Sequence, residues 1–323
     1  MVMRLGWGGL RVACAGGLFV GMVGMGAQEA KSTLKVESQL IETTMIVRDA
    51  SGSVVTNLRQ DQVSVTEDGV AQRVRYFAGE RELPLSIGLI VDASGSQEKF
   101  VKEHQKAIEG FLREVLEPRD QAFAVCFGNH LRLTSDWTSA PGEILEGLHK
   151  FEKGEPTGPE IGPEEDRELG TALYDAVYFS VMEKLQGMHG RRKVLLVLSD
   201  GEENSSEHDL MDAIGAAQNG DVLVYAIRTT ELEHGRMSAR DRYGMRVLDH
   251  LTEETGGRSF DAGTTKLTED FATIAEELRS LYEVGYYSSN HRHDGRFRKV
   301  VIETTEEGQT VRARSGYRAG RRE

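Results

Sequence analysis

Residues 86–96 read SIGLIVDASGS: an apolar run that passes without a break into three oxygen-bearing side chains at alternate positions, Asp92, Ser94 and Ser96. From Ser86 to Val91 there is no regular polar alternation, as in a strand covered on both faces. Ala122 to Phe127, Val194 to Leu198 and Val222 to Ile227 have the same character. Between these runs lie helical stripes at three- and four-residue spacing. One comprises Phe100, His104, Ile108, Phe111 and Val115, a second Leu173, Val177, Val181 and Leu185, and a third Leu267, Phe271, Ile274, Leu278 and Leu281. Buried strands alternating with amphipathic helices predict an α/β fold with a doubly wound, mostly parallel sheet, because parallel neighbours need long, right-handed crossovers. In such a sheet, ligands gather beyond the carboxyl ends of the strands. The loop holding Asp92 is at such an end.

The flanks read differently. Leu40, Met45 to Val47, Val63 to Val65 and Val74 to Phe77 fall in short alternating runs separated by Asp49-Ala50-Ser51-Gly52 and Asp68-Gly69, a strand-and-turn pattern. Tyr282 to Tyr287, Phe297 to Thr304 and Gln309 to Arg314 repeat it at the other end, and the two sets are candidates for one accessory sheet. The first residues carry Arg4 and Arg11, an apolar stretch from Val12 to Ala27 and small residues around the end of that stretch. This reads as a leader cleaved near Ala27, since the stretch is shorter than the roughly 20 residues of a membrane span, with an uncleaved anchor as the alternative. The expected organisation is a signal peptide (1–27), a β-rich segment (28–83), the α/β domain (84–285) and a β-rich segment with tail (286–323). It implies a secreted, periplasmic or cell-envelope location.

The formal charge of −13 argues against nucleic acid as a partner and suits a cation better. Arg318, Arg321 and Arg322 at the carboxyl end read as a solubilising tail. Of the two cysteines, Cys14 lies in the leader and Cys126 in an apolar run, which predicts a buried, inert thiol and no internal disulfide. Gly154 to Glu168 is the longest loop-like segment. Glu155, Glu160, Glu164, Glu165, Asp166 and Glu168 crowd it, and a solvated charged loop is the preferred reading over a rim for the metal face.

Two further loops offer oxygen donors at the same end of the sheet as Asp92. Leu169-Gly170-Thr171-Ala172 places a hydroxyl before a helix, and Leu198-Ser199-Asp200-Gly201 places a carboxylate after a buried strand. Hydroxyls with nearby carboxylates suit a hard cation such as magnesium better than zinc. Taken singly, each serine or threonine reads better as a helix cap than as a metal ligand.

In order and context, these loops resemble the von Willebrand factor type A domains, whose metal-ion-dependent adhesion site combines Asp-x-Ser-x-Ser, a threonine in a second loop and an aspartate in a third. The resemblance covers roughly residues 84–285. It implies that Asp92, Ser94, Ser96, Thr171 and Asp200 hold one Mg2+, with Mn2+ or Ca2+ as alternatives. Ser94, Ser96 and Thr171 would be its direct ligands, and Asp92 and Asp200 would balance charge and orient water. It also implies a binding module that is not an enzyme and whose protein partner offers an Asp or Glu to the metal. Val65 to Gly69 and Gly316-Tyr317 look like those of secreted bacterial, particularly acidobacterial, proteins related to this family.

Other chemistries are poorly supported. Ser94 lacks the Gly-x-Ser-x-Gly elbow of a hydrolase, and His291 and His293 fall in a turn. No phosphate-binding glycine motif follows a strand, and Gly256-Gly257 reads as a helix stop. A non-catalytic scaffold with a vestigial metal site is the remaining alternative, and a hydrolase is the weaker one.

Overall fold

The computed structural model describes residues 40–79, 83–94, 98–128, 130–155, 157–163, 170–229, 237–263 and 266–320. Ser96, residues 1–27 with Cys14, Glu164, Glu165, Asp166, Glu168, Arg321, Arg322 and the side chains of Phe100 and His104 lie outside them. In chain order the strands are β1 (Leu40–Arg48), β2 (Val63–Glu67), β3 (Val70–Gln72), β4 (Val74–Ala78), β5 (Leu85–Asp92), β6 (Gln121–Phe127) and β7 (Leu131–Thr138). They continue as β8 (Arg192–Ser199), β9 (Val222–Arg228), β10 (Ser259–Asp261), β11 (Tyr282–Tyr287), β12 (Phe297–Thr304), β13 (Thr310–Ala313) and β14 (Gly316–Arg318). The helices are α1 (Glu98–Val115), α2 (Pro141–Glu152), α3 (Leu173–Phe179), α4 (Leu210–Gly220), α5 (Ala239–Thr255) and α6 (Leu267–Arg279).

The four apolar runs become β5, β6, β8 and β9, the inner strands of a six-stranded sheet ordered β10-β9-β8-β5-β6-β7. All neighbours are parallel except β6 and β7, so the fold class is the expected mostly parallel, doubly wound α/β sheet. Alternation along β5 explains why its run shows no polar face. Ile87, Leu89 and Val91 enter a core built with α1, α2 and α6, while Ile90 enters a second core with α3, α4 and α5. Gly88 leaves the room that Phe123 and Leu195 fill: a Cβ there would lie 2.4 Å from the Phe123 ring. Cys126 is buried, and burial pushes its thiol up to about 12, as expected of an inert cysteine.

The second stripe differs from the expected continuous helix. It is α-helical only through Phe179 and then passes into a π-helical turn, Ser180–Leu185. Val181 and Leu185 remain fully buried, so the apolar face survives the wider turn. Helix α5 stops at Gly256 with φ +86°, the left-handed cap anticipated for Gly256-Gly257. Its start is a reciprocal capping box, with the Asp241 amide donating to Ser238 Oγ at 3.0 Å and the Asp241 carboxylate accepting from the Ser238 amide. Ser238→Ala should lower stability by about 1 kcal/mol, read by urea unfolding. An unchanged midpoint would mean that packing alone holds α5.

The flanking strands do not form one accessory sheet. They form two sheets of four strands, β13-β1-β11-β4 and β14-β12-β2-β3, around a shared core of Ile41, Met45, Val65, Tyr286, Val300 and Ile302 with their neighbours. Each sheet draws strands from both ends of the chain: β1 pairs with β11 and β13, and β2 with β12. Strand β11 crosses residue 285, running from the end of α6 into this sandwich. The buried Glu67 carboxylate accepts from Tyr286 Oη at 2.9 Å, Tyr317 Oη at 3.0 Å and Ser288 Oγ at 2.6 Å, which satisfies it without a cation.

Candidate metal centre

Strand β5 is the topological switch of the sheet: the chain moves outward from it through β6 and β7, then returns to its other side for β8, β9 and β10. The loops leaving β5 and β8 therefore diverge to opposite faces and open a crevice between them. Asp92 closes β5, and Asp200 directly follows β8. The parallel register that pairs Val91 with Leu198 sets the two carboxylates at the same end of adjacent strands.

Asp92 is buried and held by neutral donors. The Ser94 amide donates to Oδ1 at 3.0 Å and Ser199 Oγ to Oδ2 at 2.7 Å. Burial pushes its carboxyl up to about 6, and the nearby Asp200 carboxylate raises it further against the hydrogen bonds from Ser94 and Ser199. Ser199 Oγ also accepts from the Gly201 amide at 3.0 Å, tying the end of β8 to the end of β5. The role of Ser199 follows only from these contacts between strands, since a serine closing an apolar run carries no signal of its own.

Thr171 joins the same crevice through a reciprocal backbone clasp. Its amide donates to Asn204 Oδ1 at 3.1 Å, and its carbonyl accepts from the Asn204 amide at 3.1 Å. Thr171 caps no helix. Helix α3 has Ala172 as its cap residue with no side-chain cap bond, and its first amides are taken by Glu203 Oε2 (Tyr174) and Ser206 Oγ (Asp175), both at 3.1 Å. Glu203 also accepts from the Ser205 and Ser206 amides at 2.8 Å, so one carboxylate fastens the loop after β8 to the start of α3. Asn204 and Glu203 were not legible as site residues, since an asparagine and a glutamate in a polar loop carry no spacing signal.

The three loops converge closely. A Cβ on Gly128, just past β6, would sit 3.6 Å from the Ala93 carbonyl oxygen and 3.7 Å from that of Gly170. Behind Asp200, Gly201 has φ +80° and touches the backbone of Gly244 in α5. Ser94 and Thr171 line a cleft of about 620 Å3 together with Gly128, Phe151, Glu202 and Arg240. Glu202 is ion-paired with Arg240, and its carboxyl is raised by burial first and by Asp200 second.

One further acidic residue reaches the edge of this cleft. The Leu133 amide donates to the Pro159 carbonyl at 3.0 Å and the Ile161 amide to the Leu131 carbonyl at 2.9 Å, so residues 159–161 lie along the edge of β7. That pairing draws Glu160 out of the solvated loop expected for it: its side chain is 4% exposed, 2.7 Å from His130 Nδ1 and 3.1 Å from Arg132 Nη2. His130 and Arg132 also line the cleft.

Thus Asp92, Ser94, Thr171 and Asp200 stand in adjoining loops at one crevice, and Ser96 lies outside the described residues. Among the described residues no three His, Cys, Asp or Glu side chains gather as a metal cluster. The donors are mixed, two carboxylates with hydroxyls, and an all-oxygen set of this kind fits a divalent cation. The raised carboxyl of Asp92 fits it too, because adjacent buried carboxylates that disfavour each other's charge are stabilised by a positive ion between them.

No protein-family model and no curated protein sequence matches the chain. Among solved structures it is similar to the conserved hypothetical protein BatB from Bacteroides thetaiotaomicron, at 15% identity and TM-score 0.42, covering 60% of this chain and 97% of that one. The SpRpn10 VWA domain is similar at 10% identity and TM-score 0.40, with 59% and 95% covered. Proximal thread matrix protein 1 from the mussel byssus, solved with a zinc-occupied MIDAS motif, is similar at 15% identity and TM-score 0.45, with 66% of this chain and 49% of that one covered. The chain thus spans about half the length of the byssus protein. Likeness this distant carries no functional argument. What this chain binds is decided by its own loops.

Proposed function

We propose that the chain is a metal-dependent protein-binding module working outside the cytoplasm, and that it is not an enzyme. The observation that carries this reading is the meeting of Asp92, Ser94, Thr171 and Asp200 at the switch point of the sheet. Asp92 and Asp200 would balance the charge of one Mg2+, with Mn2+ or Ca2+ as alternatives, and Ser94, Ser96 and Thr171 would supply hydroxyl oxygens. When bound, the cation supplies the positive charge that an Asp or Glu of a partner protein pairs with. The chain's own part is to hold those oxygens in place: Ser199 and the Ser94 amide fix Asp92, and the Asn204 clasp fixes Thr171. The leader-like residues 1–27 support a location in the envelope or beyond it, and no helix of the described residues is long and apolar enough to cross a membrane.

Titration calorimetry with Mg2+ and Mn2+ on the full chain and on Thr171→Ala tests this. Because the Thr171 hydroxyl caps no helix, the variant should fold like the parent and bind the cation about ten- to a hundredfold more weakly. Equal affinity in parent and variant would remove Thr171 from the site. No saturable binding to the parent would favour a scaffold that uses the sandwich as its interface.

A further inference from the structure

Helix α5 runs back from the metal-site end of the sheet, and its last turn packs beside Val224 in the middle of β9, where the turn after α5 also meets the backbone of Ala313 in the sandwich before β10 pairs with the end of β9. A cavity of about 310 Å3 opens there, lined by Ile46, Arg48, Thr252, Glu253, Arg258 and Arg312 with their neighbours. Arg48 and Arg312 approach from β1 and β13, and Arg258 from the turn after α5.

Arg48 and Arg312 share one carboxylate. Arg48 donates to Glu277 Oε1 from Nε at 3.1 Å and from Nη2 at 2.6 Å, while Arg312 Nη2 bonds Glu277 Oε2, which also accepts from Tyr225 Oη at 2.8 Å. Glu277 is completely buried and cannot offer more. One carboxylate neutralises one guanidinium, so this pair keeps a positive charge. Both arginine side chains remain partly open, at 21% and 25% exposure. Arg258 adds a third guanidinium, 4.8 Å over the Phe260 ring and paired with no carboxylate among the described residues. Stacking on a ring fixes the plane of a guanidinium and leaves its edge N–H groups outward, the geometry that binds two oxygens of one anion. Glu253 is the only carboxylate among the lining residues, and it is exposed.

We infer that this cavity binds an oxyanion, a carboxylate or phosphate group carried by a small molecule, between Arg258 and the Arg48–Arg312 pair. In a chain of net charge −13, three guanidinium groups with one buried and one exposed carboxylate make a local positive field. The volume is at the lower end of small-molecule sites. Ile46 gives the wall an aliphatic surface for a short carbon skeleton.

The test is calorimetric titration of the full chain with inorganic phosphate and, separately, with succinate, in chloride buffer at fixed ionic strength. Arg258→Ala and the exposed control Arg119→Ala are titrated alongside. Because the Arg258 side chain is exposed and packs on the Phe260 ring, while its backbone carbonyl keeps the hydrogen bond from the Ala226 amide in any variant, Arg258→Ala keeps the fold, checked by circular dichroism. The expected result is one saturable site, weakened about tenfold or more by Arg258→Ala and unchanged by Arg119→Ala. Tighter phosphate binding would assign the phosphate class, and tighter succinate binding the carboxylate class. Absence of saturable binding to both anions, or equal affinity in Arg258→Ala, overturns the inference.

Discussion

Asp92→Asn is expected to abolish saturable Mg2+ binding and, at the same time, to make the metal-free chain more stable at neutral pH. The carboxyl is buried, held by the Ser94 amide and Ser199 Oγ, and faces Asp200; its affinity for a proton rises from an ordinary 3.8 to about 6. The sign follows from linkage. Between those two values the folded chain holds the proton more tightly than the unfolded chain, so stability falls as pH rises from about 4 through 6, and the whole penalty is present above 6. A carboxyl raised to that extent costs on the order of 3 kcal/mol at pH 7. Asparagine keeps an acceptor for the Ser94 amide and carries no charge.

The same linkage governs the cation. Below pH 6 it competes with the proton on Asp92, so its affinity should fall by about tenfold per pH unit there. Thermal melts of parent and variant without metal, at pH 5 and pH 7.5, together with calorimetry across that range, check both halves. The variant's advantage in melting temperature should be clear at pH 7.5 and shrink at pH 5. A variant that still binds Mg2+ would dismiss Asp92 from the site, and one less stable at both pH values would show that the carboxylate contributes more by its hydrogen bonds than it loses by burial.

Gly201→Ala should destabilise the fold by about 3 kcal/mol or more and weaken cation binding in whatever fraction remains folded. Gly201 has φ +80°, a conformation that costs an L-residue about 1–2 kcal/mol. The added Cβ would also lie 2.3 Å from the Gly244 carbonyl oxygen, which is fixed in the middle of α5 and cannot rotate away as a side chain would. The loop must therefore lift off α5, and Asp200 lifts with it. Gly110→Ala is the control: it sits inside α1 with nothing within 4 Å of its Cβ, so the same change there should stabilise by up to about 1 kcal/mol. Urea unfolding of both variants checks this. Equal stability of Gly201→Ala and the parent would show that the approach of the loop to α5 is loose.

Elements whose burial is uniform could be read directly. The runs in β5, β6, β8 and β9 are apolar because both faces are covered, and α1 and α6 show stripes because one face is covered along several turns. Strand β7 escaped notice because it is the antiparallel edge of the sheet, half-covered, with Ser135 and Asp136 interrupting its apolar residues and its pairing with β6 shifting register twice. Helix α4 buries mostly alanines, which make a weak stripe. At the proposed metal site, the candidate donors Asp92, Ser94, Thr171 and Asp200 were legible as oxygen donors at strand and helix ends. Their supports Ser199, Glu203, Asn204 and Gly244 were not, because each acts on a partner in another loop or helix.

The sequence by itself determined which segments are buried, with what periodicity, and which oxygen-bearing side chains stand at the strand ends, since these properties belong to neighbouring residues along the chain. Tertiary structure alone decided that the two β-rich flanks interleave as a sandwich, with Val65 opposite Ile302, and that Arg48, Arg258 and Arg312 face one cavity. It also decided the proton affinity of Asp92, which depends on water excluded by the sheet and on Asp200 across the crevice. Pairing and burial are set by residues that meet only after the crossovers have closed, and no local pattern encodes a distance between side chains that are a hundred positions apart.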